Sequence, residues 1–274
     1  MTLAVTVVCQ DGVVVAADSR TTLSNYRSSR VGSDYTHKVF GSGRVAAATW
    51  GEAFVLGRSM AGHMADFAEA EVAHCDHPEE AAERLAEYFG DLYDQVLPTD
   101  LDLAVSERSA LGFLVAGYDE RGLAEAWEVD VPHRSISLAA TIENGGAAVW
   151  RGQSDVVSRL LLGYDEDLLK RLARDHHRER EFQALWPLLT QLMYRIPFDT
   201  MNLQDGIDLA ALCLRTTMAV QRFSLGALAE APSFSWPGVG GPIEIATVTE
   251  RGGFAWVQRT SIAGAPPSGG QKDQ

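Results

Sequence analysis

Cysteine is scarce in this chain of 274 residues: Cys9, Cys75 and Cys213 are odd in number and far apart. No Cys-x-x-Cys pair occurs, which argues against a disulfide framework and a cysteine-rich zinc site and fits a reducing compartment. Positive charge is short as well. Lys plus Arg totals 23 against 37 Asp plus Glu, a formal net charge of −14, with a pI near 4.9. Such a chain lacks the basic face that phosphate contacts require, so nucleic acid and anionic membrane surfaces are disfavoured as partners. No apolar run approaches the ~18 residues of a membrane-crossing helix. The opening residues carry no basic region, and their apolar run breaks at Gln10-Asp11-Gly12, unlike a secretory signal. The expectation is a soluble, cytoplasmic protein. Several catalytic signatures are missing too: there is no G-x-S-x-G elbow, GxxxxGK[ST] loop, HExxH or GxGxxG.

What is present reads as blocks of strands alternating with blocks of helices. Leu3 to Cys9 and Val13 to Ala17 flank the turn signal Asp11-Gly12, a hairpin whose second strand is continuously apolar and so buried on both faces. Thr21 to Ser33 is polar and is expected to be a loop. His37 to Phe40 and Arg44 to Thr49 form another strand pair. Gly51 is expected to open a helix, and Pro78 a second one running to about Val96. Strands follow at Leu111 to Tyr118, Ala124 to Val129, Ser135 to Leu138 and Ala147 to Arg151. Helices come next at Asp155 to Leu162, Glu166 to Ala173, Glu181 to Tyr194 and Asp205 to Phe223. A loop-like stretch from Leu225 to Gly241 leads to a last hairpin, Ile243 to Val248 and Phe254 to Gln258.

A prior of about 150 residues per domain allows one large domain or two. With no linker inside 1–260 and no internal repeat, the expectation is a single domain over residues 1–262. The tail 263–274, rich in Pro, Gly, Ser and Gln, is expected to be disordered. Strands and helices in alternating blocks suggest two sheets between helix layers, an α+β architecture.

Few residues stand out chemically. His74-Cys75-Asp76-His77 reads as an exposed loop, because adjacent positions rarely reach one metal together. His176-His177 reads as part of a solvated face. Gly238-Val239-Gly240-Gly241-Pro242 precedes a strand rather than a helix and reads as a turn, not a phosphate loop. Trp127, Trp150 and Trp186 suit core or interface positions. Thr2 differs because of where it stands. Methionine aminopeptidases act before small residues, and a terminal Thr carries both a hydroxyl nucleophile and an α-amine of pKa about 7.7–8.0. One residue then holds nucleophile and base. The alternative is that Thr2 merely begins a strand.

The segment Thr2 to Arg20, TLAVTVVCQDGVVVAADSR, resembles the opening of proteasome β-subunits and of the bacterial proteasome-like peptidases HslV and Anbu. The shared pattern is an N-terminal Thr, a strand, a tight turn, a buried strand, then Asp-Ser-Arg. The spacing from Thr2 to Asp18 matches without a gap. The resemblance implies the four-layer αββα sandwich of N-terminal nucleophile hydrolases over roughly residues 2–260. It implies Thr2 as nucleophile and base, Asp18 as the carboxylate that pairs with the catalytic lysine, and Lys38 as that lysine. About four extra residues lie in the loop before Lys38. It implies the Gly51 N–H as oxyanion donor, and Thr22 as the residue whose backbone pairs with an extended peptide. Thr21, Thr49 and Ala53 would line a small side-chain pocket. Each position has a plainer reading: Asp18 a strand-end turn residue, Lys38 a solvent-facing one, Gly51 a turn glycine, Thr22 a loop threonine.

The later chain departs from the pattern. Where β-subunits carry a Ser in a Gly-Ser-Gly turn, this chain has Trp150-Arg151-Gly152-Gln153. Of an Asp-x-x-Ser-Gly-Gly element, only Gly240-Gly241 remains, and Gly-Gly-Pro-Ile is closer to Anbu. Ser224, Ser233 and Ser235 are available substitutes, and none is selected. The resemblance thus implies a threonine-type peptidase acting on peptide or unfolded protein, without metal or organic cofactor. It implies assembly into a homo-oligomeric ring or helical array. Any ATPase would be a separate chain. Two rivals remain: a non-catalytic scaffold subunit, and an N-terminal nucleophile amidase with a non-peptide substrate.

Overall fold

The computed structural model describes residues 2–24, 29–70, 75–96, 110–175, 177–224 and 238–261. The chain opens with β1 (Leu3–Cys9) and β2 (Gly12–Asp18), followed by β3 (Thr21–Ser24) and β4 (Ser29–Ser33). Then come β5 (Val39–Ser42), β6 (Val45–Gly51), and the short pair β7 (Phe54–Val55) and β8 (Arg58–Ser59). Helices α1 (Met60–Ala70) and α2 (Pro78–Val96) precede β9 (Leu111–Tyr118), β10 (Ala124–Asp130), β11 (Ser135–Thr141) and β12 (Ala147–Gly152). Four helices follow, α3 (Asp155–Leu162), α4 (Glu166–Asp175), α5 (Glu179–Leu189) and α6 (Leu203–Phe223). The hairpin β13 (Ile243–Thr249) and β14 (Gly253–Gln258) ends the described chain.

Two five-stranded sheets organise these elements, one in the order β12-β1-β2-β13-β14 and the other β11-β10-β9-β6-β5. Their inner faces meet in a core of small residues. Ala4, Val8, Val13, Val15 and Ala17 of the first sheet pack with Ala46, Ala48, Leu114, Ala116 and Ala126 of the second. Alternate residues of β1 and β2 point the other way. Leu3, Val5, Val7, Val14 and Ala16 pack against Val157 and Leu161 of α3 and Ala210, Cys213 and Leu214 of α6. The outer face of the second sheet meets α1 and α2 through Phe67, Leu85, Phe89, Leu111 and Phe113. Burial on both faces explains why β1 and β2 read as unbroken apolar runs rather than as an alternation.

Three expectations fail locally. Residues 21–33 are not simply a loop, since β3 and β4 pair antiparallel. Their polar sequence hides the strands because neither face enters the main cores. Gly51 does not open a helix. It ends β6, and a hairpin at 54–59 intervenes before α1, with Leu56 (φ 50°) and Gly57 (φ 76°) making its turn. The helical spacing was misleading there because Phe54 and Leu56 are exposed. Finally, the helix expected to reach Tyr194 ends at Leu189. Pro187 supplies no backbone donor, and a 3-10 turn at Thr190–Leu192 follows. Residues 225–237, including Ser233 and Ser235, lie outside the described residues, as do His74, His176 and the tail.

Gly152 shows how tightly β12 closes on the start of β1. Its φ is +93°, and a Cβ there would sit 1.9 Å from the Thr2 carbonyl oxygen. Gly43 has φ +57° but open space around it. Gly43→Ala should therefore cost about 1–2 kcal/mol, the left-handed strain alone. Gly152→Ala should cost at least about 3 kcal/mol, since strain and collision add. Denaturant unfolding of the two variants checks the difference.

Candidate active site

The end of β2 places a carboxylate where a buried strand stops. Asp18 is fully buried and makes four hydrogen bonds. Its Oδ1 accepts from the Leu3 N–H at 3.0 Å and from Lys38 Nζ at 3.1 Å. Its Oδ2 accepts from the Arg20 N–H at 3.0 Å and the Gly240 N–H at 3.1 Å. One side chain thus ties the residue after Thr2, the lysine just before β5, and the glycine turn before β13. The turn at Gly238–Pro242 therefore presents a donor to Asp18.

Lys38 is also buried. Besides Asp18, its Nζ donates to the Arg20 carbonyl. Desolvation pulls the ammonium below the ordinary lysine pKa, while the neighbouring charge of Asp18 works in the opposite direction. Arg20 does not compete for Asp18 with its side chain, because its guanidinium forms a two-pronged pair with Asp34.

A small cleft opens beside this pair. Thr2, Thr21, Lys38, Thr49, Gly51 and Ala53 are among its lining residues, so six residues singled out in the sequence converge there. Thr2, Thr21 and Thr49 are nearly buried. Thr21 shares a 2.7 Å hydroxyl contact with Thr36, and Thr49 makes a long 3.5 Å one to the Gly112 carbonyl. Asp18 lies behind Lys38 rather than in the lining. Thr22 is not in the lining either. It sits on β3, and its Oγ1 is buried without a partner.

Gly51 was expected to offer its N–H from a helix N-terminus, and the strand corrects this. Along β6 the N–H groups alternate between edges. Thr49 donates to Lys38 across β5, and Glu52 donates to Ala110 on the β9 side. The Gly51 N–H therefore faces the Lys38 edge, just beyond the start of β5. Its φ of +94°, with Ala110 too close for any Cβ, restricts the position to glycine.

Buried Glu244 and half-buried His37 were not singled out by the sequence. Glu244 on β13 is fully buried and bonded to His37, Lys38 and Val39. His37 also lines the cleft. Only the interruption of the apolar strand Ile243–Thr249 by one charge could have flagged Glu244. At the place of the absent serine, Arg151 pairs with Glu128 of β10 and is not among the cleft residues. Ser224 caps α6 and does not line the cleft either. Among the described residues no cluster of three His, Cys, Asp or Glu is arranged to hold a metal. None of the described helices is long and apolar enough to cross a membrane.

The structure thus has two antiparallel sheets flanked by helices, with the chain's second residue lining a cleft at the sheet ends. Among solved structures, the helically assembled Anbu complex from Pseudomonas aeruginosa is 14% identical, covering 90% of this chain and 81% of that one at a TM-score of 0.50. Anbu, the ancestral β-subunit, from Yersinia bercovieri is 12% identical, with the same coverages and a TM-score of 0.52. A Gly-1 mutant of Anbu from Hyphomicrobium sp. strain MC1 is 13% identical, covering 96% and 88% at a TM-score of 0.53. No family model matches the chain, and no curated protein does. The chain shares the fold of the Anbu proteins.

Removing Asp18 strands a buried ammonium and three backbone donors. Asp18→Ala should lose about 3–5 kcal/mol of stability. At roughly 2–4 °C per kcal/mol, the thermal unfolding midpoint should fall by about 6–20 °C.

Proposed function

We propose that the chain is a threonine-type amide hydrolase, a peptidase built on a single domain over residues 1–262 with the four-layer αββα arrangement. The observation that carries this reading is the buried Asp18–Lys38 pair, which opens onto the same cleft as Thr2. Removal of Met1 frees the Thr2 amine. Thr2 Oγ attacks the substrate carbonyl while its proton passes to that amine. The oxyanion is received by the Gly51 N–H, and the Lys38 ammonium stabilises the charge on Oγ before attack. The protonated amine then protonates the leaving nitrogen, and an ester to Thr2 remains. Water, losing a proton to the amine, hydrolyses that ester and restores Thr2. The scheme uses no metal and no organic cofactor.

An extended peptide suits the cleft's rim. On one edge of β3, which carries Thr22, no strand pairs among the described residues, so a substrate strand can add there. Thr21, Thr49 and Ala53, which line the cleft, are assigned to a small side-chain pocket. We assign the protein to the cytoplasm on its three free, buried cysteines. A homo-oligomer, ring or helical, is part of this reading; the fold likeness and the exposed apolar side chains Leu185, Leu188, Leu192 and Tyr194, on α5 and just after it, support it. A separate ATPase would deliver folded substrates as unfolded chains.

The test is intact-mass analysis of the purified protein, followed by treatment with an epoxyketone that captures N-terminal threonine. Loss of Met1 and a single adduct are expected, with the adduct absent in Thr2→Ala. Turnover of a peptide and non-peptide amide panel should fall at least about a thousandfold in Thr2→Ala, as when a nucleophile is removed. Retained Met1, or full turnover by Thr2→Ala, overturns the reading in favour of a scaffold role or another site.

A further inference from the structure

All three hydrogen bonds of the Glu244 carboxylate fall on one tripeptide. Its Oε2 accepts from the Lys38 N–H at 2.9 Å and the Val39 N–H at 3.3 Å. Its Oε1 lies 2.5 Å from His37 Nδ1. Glu244 faces Ala17 across the ladder, one residue from Asp18. Neighbouring strands of the first sheet thus each carry a fully buried carboxylate, at successive ladder positions and so rooted on opposite faces of the sheet. Asp18 holds the ammonium end of Lys38 and Glu244 holds its backbone end. Lys38 itself leads into β5 of the second sheet. We propose that Glu244, locked by His37, is a positioning residue that fixes Lys38 from its backbone and sustains its charge beside Thr2.

The physical reason lies in the lysine side chain. Its flexible four-carbon stem would let the ammonium wander if only one end were held. Displacement of about 1 Å at a reacting group costs on the order of a hundredfold in rate. A buried carboxylate also costs solvation free energy that a neutral side chain would avoid, so its charge is retained for an interaction. The charged groups acting on Lys38 include Asp18, Glu244 and Arg20, with His37 and Glu52 lining the same cleft and the Thr2 amine there under the proposed function. The two negative charges favour the ammonium, and Arg20 and burial oppose it.

The chain holds three lysines, Lys38, Lys170 and Lys272, so the Cε signal of Lys38 can be followed by NMR in lysine-labelled protein. This readout needs no activity. Glu244→Gln keeps an oxygen for the two backbone donors but removes the charge, and the Lys38 titration should move to lower pH. The alkaline limb of Thr2 capture by the epoxyketone should move the same way, and capture near neutrality should slow about tenfold. His37→Asn keeps an N–H near the Nδ1 position and should leave the Lys38 signal and the capture rate near wild type. His37→Ala should shift the Lys38 signal toward those of Lys170 and Lys272 and slow capture. An unmoved Lys38 titration in Glu244→Gln, or a His37→Asn as impaired as His37→Ala, overturns the proposal. If Glu244→Gln does not fold, the His37 variants decide. This inference rests on the proposed function for its chemistry. Wild-type protein that resists capture, with the Lys38 shifts still seen, would overturn that function while the positioning by Glu244 stands.

Discussion

The ion pair between Asp18 and Lys38 is the constraint on which the site depends. Both groups are buried, and neither is tolerable there without the other. Their partners also come from far apart in the chain. Asp18 reaches Leu3 beside it in the first sheet, the Arg20 backbone after it, and Gly240 more than two hundred residues on. Lys38 arrives from the entry to the second sheet. The pair therefore pins the two sheets together at the end where Thr2 leads into β1.

That pinning works because the sheets can come close. Alanines and valines fill the space between them, and glycine replaces any side chain where backbones nearly touch. Gly152 lies against Thr2, and Gly51 against Ala110. The same closeness leaves the Gly51 N–H aimed at the Lys38 edge. A cleft lined by the Thr2, Lys38 and Gly51 positions is thus a consequence of strand ends meeting.

Much of this was readable along the chain. The hairpin at 3–18, helix α2, strand β9 and helix α3 appear where periodicity and turn residues put them. Thr2, Lys38, Thr21, Thr49, Gly51 and Ala53 do line one cleft. The failures share a cause. The β3–β4 hairpin is polar because it covers no core, and the β7–β8 turn borrows apolar residues that stay exposed. Neither pattern carries the burial signal on which periodicity depends. Glu244 was illegible for a related reason. A single charge in an apolar strand looks like a surface residue until the backbone donors that satisfy it are seen, and those lie about two hundred residues earlier.

By itself, the sequence determined the local facts: which runs are strands buried on both faces and where two-residue turns fall. These follow from side-chain period and chain connectivity, which are properties of neighbours. Only the tertiary structure decided that two carboxylates from adjacent strands grip opposite ends of Lys38, that Gly51 ends a strand rather than starting a helix, and that Thr22 stands outside the cleft. Those outcomes depend on sheet register and on the close approach of two sheets, and hydrogen bonds across such distances in sequence leave no periodic trace.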